Sequence, residues 1–162
     1  MIKYQKIYEE NKILDGIFNK DYPQMSEEIF KKNILELLVE IGELANETRC
    51  FKYWSSKESS EKEVVIEEYA DCLLMVFAFC NFLNVSLDEN FEEPPSNNLI
   101  DQFIYLYEIC SKIEANYNKE YIKKILSNFI YLGKLLNFSD KDIIDGCINK
   151  INKNKVRLST NY

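Results

Sequence analysis

The chain has 162 residues and a mass of 19.2 kDa, enough for one domain and short for two. Apolar residues make up 46% and charged residues 29%, a globular mixture that excludes extended disorder. Histidine is absent, which excludes a His general base, a Ser-His-Asp triad and any zinc or di-iron centre that needs imidazole; the net charge of −7 disfavours binding to nucleic acid.

Only four Gly and three Pro interrupt the chain, so long helices should dominate. The pattern predicts an all-α bundle of about six helices in one domain, 1–162. The first helix is expected over Lys3–Asn19 and the second over Glu27–Phe51. Trp54–Ser60 reads as a polar loop. A third helix, Glu61–Leu83, carries a Ser60/Glu63 capping box at its start. Glu92-Glu93-Pro94-Pro95 is a break. Ser96, Asn118 and Ser139 are placed to cap helices over Asn97–Ala115, Lys119–Leu136 and Asp140–Lys153. Residues Asn154–Tyr162 read as an extended tail, mobile without ligand.

The third helix is apolar on nearly every side from Cys72 to Cys80. A small domain has difficulty surrounding such a helix, and Phe77 and Phe79 lie in a run too apolar for one face, so part of the helix is expected to meet a second copy in a two-fold homodimer. The same nine-residue run is too short to span a membrane, which needs about 20 residues. The five cysteines are odd in number, widely spaced and without a CxxC pair. They read as buried small hydrophobes in a reducing compartment. The polar start MIKYQKIYEENK does not resemble a signal peptide. A cytoplasmic protein without membrane contact is expected.

The chemistry concentrates in acidic helices. Glu36, Glu40, Glu43 and Glu47 follow one another at steps of four, three and four, so they share one helical face. Glu68 and Asp71 are three apart, and Asp71 precedes the apolar run. A solvated stripe is the ordinary explanation of such acids. The apolar setting of Asp71 argues against it, because unpaired buried charge costs several kcal/mol. If the two helices lie side by side, Glu40, Glu43, Glu68 and Asp71 converge. All-oxygen ligands without His or Cys select Mg²⁺ or Mn²⁺, ions commonly bound together with phosphates.

Between the acidic pairs runs Arg49-Cys50-Phe51-Lys52-Tyr53-Trp54-Ser55-Ser56-Lys57, with the only Trp of the chain. Its aromatics can sandwich a base and its cations can neutralise phosphate oxygens; a hydrophobic plug closing the bundle end is the alternative. After Asp145 no acid follows, whereas Lys150, Lys153, Lys155 and Arg157 add positive charge. This suits a phosphate ligand or a solvated terminus.

Glu40-x-x-Glu43, 24 residues, then Glu68-x-x-Asp71 resembles the acidic motifs of the all-α nucleoside triphosphate pyrophosphohydrolases, which include MazG-type enzymes and the dimeric dUTPases. Glu43 through Lys57 and Glu67-Glu68-Tyr69-Ala70-Asp71 are similar to the dimeric dUTPase versions. Leu14-Asp15 with Ile17 is similar to the family's QxxLDxxI, with Asn11 in place of Gln. Lys150, Asn154, Arg157 and Tyr162 resemble its ending KxxxNxxRQxxGY, with Leu158 and Asn161 as departures.

The resemblance implies Mg²⁺-dependent hydrolysis of dUTP to dUMP and pyrophosphate. It implies metal ligation by Glu40, Glu43, Glu68 and Asp71, with Glu40 also orienting or deprotonating the attacking water. Lys52 and Lys57 would face the phosphates, and Trp54 and Ser55 the nucleoside. Asn11 would contact the uracil edge, and Lys150, Asn154, Arg157 and Tyr162 would close over the polyphosphate. Two other readings stay open at this point: a broader nucleoside triphosphate pyrophosphohydrolase, and a helical dimer that binds a repressor or other protein partner.

Overall fold

The computed structural model describes residues 3–21, 26–87 and 96–160. The break at Glu92–Pro95 and the terminal Asn161 and Tyr162 lie outside them. Six α-helices follow in order: α1 (Gln5–Asp21), α2 (Glu27–Thr48), α3 (Lys62–Leu83), α4 (Leu99–Ser111), α5 (Lys119–Leu135) and α6 (Asp140–Ser159). A 3-10 turn, Glu114–Asn116, precedes α5, and no strand occurs among the described residues.

Two of the expected caps are found. Asn118 Oδ1 accepts from the Tyr121 amide at 3.0 Å. Ser139 forms a full capping box with Asp142. Two are corrected. Asn98, not Ser96, caps α4, its Oδ1 accepting from the Ile100 and Asp101 amides. Ser60 and Glu63 form no capping box, and α3 starts after Glu61 with no side-chain cap. The Ser60 hydroxyl donates instead to the Glu47 carboxylate, and its amide donates to the Glu47 carbonyl at 3.0 Å. The loop is thereby clipped back onto α2. The end of α2 is also earlier than expected: Arg49 adopts a left-handed φ of 56°, and its amide turns back to the Ala45 and Asn46 carbonyls.

Helix α3 packs against α1, α2, α5 and α6. Leu73, Phe77 and Cys80 are completely buried and Phe79 is 2% exposed, all within one chain. Phe77 and Phe79, expected in the part of the helix that meets a second copy, are instead covered by four neighbouring helices, while Val64 and Phe82 of α3 stay exposed. Two glycines permit this closeness. A Cβ on Gly133 of α5 would lie 2.7 Å from the Tyr69 hydroxyl, and one on Gly146 of α6 would collide with Ile66. The Tyr69 hydroxyl donates to the Phe129 carbonyl at 2.9 Å, so it has no free direction to retreat.

The sixth helix continues to Ser159, which corrects the extended tail expected from Asn154 onward. Its inner face explains the extension. Ile151 is buried, Leu158 packs on the core, and Lys155 pairs with Glu10 of α1 at 2.7 Å. Exposed apolar side chains remain elsewhere, at Leu35 and Val39 on α2 and at Ile100, Ile104 and Tyr107 on α4. No helix among the described residues is long and apolar enough to cross a membrane.

Candidate active site

Helices α2 and α3 run in opposite directions, with Phe30 against Phe79 at one end and Glu47 against Ser60 at the other. Midway, oxygens of Glu40, Glu68 and Asp71 all lie within 4.8 Å of one another. Glu43, one turn along α2, stands outside this trio, but its charge acts on Glu40 and Glu68. Burial pushes the Glu40 carboxyl up to about 7, helped by the negative charges of Asp71, Glu43, Glu68 and Glu36. Burial first and Asp71 second raise Glu68. Asp71 is raised by burial and held back by Lys150.

Three partly buried carboxylates, of which Asp71 raises both Glu40 and Glu68 and Glu68 raises Glu40, are a site where a cation relieves repulsion. Their all-oxygen donor set fits a hard divalent ion. The neighbouring Cys72 offers no thiolate, because complete burial pushes its thiol well above the usual range.

Cations approach from α6. Lys150 Nζ lies 2.5 Å from Asp71 Oδ2 and 3.4 Å from Glu67 Oε1, and Lys153 lies 2.7 Å from Glu67 Oε2. Arg157 also acts electrostatically on Asp71. Lys150, Asn154 and Arg157 are spaced by four and three residues, so they share one face of α6, from which Lys150 and Arg157 act on Asp71. Glu67 was legible in the sequence only as a neighbour of Glu68; in the structure it anchors α6 through two lysines. Glu36 likewise stood on the acidic stripe without a role. Here it is raised by burial and by Asp71, as part of the same field.

The loop after α2 is shaped by Arg49. Its guanidinium donates to Ser55 Oγ at 2.7 Å and to the Lys57 carbonyl at 3.0 Å. Lys52 Nζ donates to Asn46 Oδ1 at 2.5 Å and lies over the Phe51 ring. Tyr53 and Trp54 meet edge to face with centroids 5.1 Å apart, and Trp54 is 65% exposed, so this segment is no buried plug. Beside it a groove of about 420 Å³ is lined by Val39, Gly42, Glu43, Asn46, Glu47 and Glu68. The groove thus joins the acidic trio, through Glu68, to the Lys52 anchor, through Asn46. Asn11 lies on α1, 2% exposed, donating to the Leu74 carbonyl at 3.1 Å and to Asp15 at 3.4 Å. Tyr162 is outside the described residues.

A sequence model of the family described as dUTPase matches residues 3–162. No curated protein matches the chain. The family match covers all but the first two residues, and the chain belongs to the all-α dUTPase family, enzymes that hydrolyse dUTP.

Proposed function

We propose that this dUTPase releases dUMP and pyrophosphate with Mg²⁺ held by Glu40, Glu68 and Asp71, and with Glu43 joining from the next turn. The observation that carries the reading is the convergence of three carboxylates within 4.8 Å, inside a chain of this family. When bound, the ion neutralises phosphate oxygens and polarises the reacting phosphorus centre. Glu40 is the residue to accept the proton of the attacking water. Its proton is held to about 7 while no cation is bound, and an ion among the three carboxylates would free it to act as a base near neutral pH.

Lys52 and Lys57 face the phosphates from the loop, and Lys150, Asn154 and Arg157 from α6; Tyr162, outside the described residues, belongs to the same set by its match to the family's ending. Trp54 offers its exposed ring to the nucleoside. Ser55, fixed by Arg49, sets the loop's distance from it. The Asn11 amide nitrogen donates to Leu74 and Asp15, which supports Oδ1 as the atom that would accept from the uracil N3–H.

Two further assignments belong to the same reading. A homodimer is supported by the exposed Leu35, Val39, Ile100, Ile104 and Tyr107; Tyr107 reaches Gly42, so the stripes on α2 and α4 meet. A single domain in a reducing cytoplasm is supported by one core drawn from all six helices and by five free thiols. The test is product chromatography over a panel of deoxynucleoside triphosphates, with Mg²⁺ and with chelator. The expected result is dUMP and pyrophosphate from dUTP alone, with Mg²⁺ alone. Hydrolysis that persists in chelator would overturn the metal assignment, and equal turnover of dCTP or dTTP would overturn the substrate.

A further inference from the structure

Lys150 is 2.5 Å from Asp71 Oδ2, and only 10% of its side chain is exposed. Its ammonium is therefore committed to a carboxylate whose own oxygens belong to the converging trio. The lysine and a divalent ion address the same anionic group. Two cations held on one carboxylate at contact distance repel each other in a partly desolvated site. The ammonium has somewhere else to go, because Glu67 Oε1 already lies 3.4 Å from it. The helix need not undock in the exchange, since Lys153 remains on Glu67 at 2.7 Å.

We propose that Lys150 is a resident counter-cation of the acidic site, which a divalent ion displaces from Asp71 and which then serves the polyphosphate. The proposal rests on the metal reading above. It makes ion and phosphate binding cooperative. An ion that arrives alone must release Lys150, and a phosphate that takes Lys150 opens Asp71 to the ion, each helping the other by the same factor.

Two measurements test it on the full chain. Calorimetric titration with Mg²⁺ compares wild type with Lys150→Met, which keeps the aliphatic stem and removes the charge. Removal of a competing cation is expected to tighten Mg²⁺ binding by at least about tenfold. Amine acetylation of the wild-type protein, read by mass spectrometry, needs no variant to fold. Labelling of Lys150 should rise several-fold at saturating Mg²⁺ relative to chelator, while the exposed Lys141 stays unchanged. If wild type binds Mg²⁺ and Lys150 remains protected, the exchange is refuted and the metal reading stands. If neither protein takes up Mg²⁺, the metal reading fails and the exchange fails with it.

Discussion

Neutralising Glu40 should stabilise the fold when divalent ions are chelated. Its carboxyl keeps its proton to about 7 in the folded protein against 4.5 in the ordinary range. Between those pH values the folded state binds more protons than the unfolded chain, so stability falls as pH rises through the window. The full shift corresponds to a ceiling of roughly 3.4 kcal/mol at about 1.36 kcal/mol per unit. Solvent screening of a partly exposed carboxylate reduces this to about 1–2 kcal/mol. Glu40→Gln removes the penalty. It should match wild type near pH 4.5 and exceed it by that amount above pH 7, raising the melting temperature by about 3–6 °C for a chain of this size. Urea denaturation followed by far-UV circular dichroism at pH 5, 6, 7 and 8, with chelator, reads the difference directly. A variant less stable than wild type at pH 8, or a gap that does not change with pH, would refute the repulsion argument. Asp71→Asn is expected to gain less, because Lys150 holds that carboxyl back and the substitution leaves the lysine to Glu67.

Three further outcomes follow from other parts of the fold. Arg157→Lys keeps the charge and loses the planar fork, so kcat/KM for dUTP should fall at least about tenfold with an unchanged urea midpoint. Gly133→Ala forces a methyl against the fully buried Tyr69 and should cost about 1–3 kcal/mol in denaturant titration; no change would mean that α3 and α5 can separate freely. Ile104→Asp, on the exposed α2/α4 face, should reduce the mass in light scattering from two chains to one and leave helicity intact. A dimer that survives this substitution would place the interface elsewhere.

Helix content, the number of helices and the caps at Asn118 and Ser139 were legible in the sequence, because periodicity and capping are local properties. Helical spacing alone also puts Glu40 with Glu43, and Glu68 with Asp71, each pair on one face, but their convergence depends on the two helices lying side by side. Local pattern could not say which surface each face would meet. The apolar run of α3 looked too large for one chain. Only the packing showed that α1, α2, α5 and α6 cover Leu73, Phe77 and Phe79, and that Leu35 and Val39 on α2 and Ile100, Ile104 and Tyr107 on α4 stay exposed. Ser60 looked like a cap because Glu63 follows three residues later. It instead met Glu47, a partner thirteen residues away whose position depends on the turn made by Arg49. The basic end of the chain read as an extended tail because its inward residues are sparse. Docking of Ile151, Lys155 and Leu158 onto the body carries the helix to Ser159. That docking also decides the electrostatics of the site, because it sets Lys150 on Asp71. Composition determines how many charges the chain carries. The distances between them, on which their energies depend, exist only once the helices have packed.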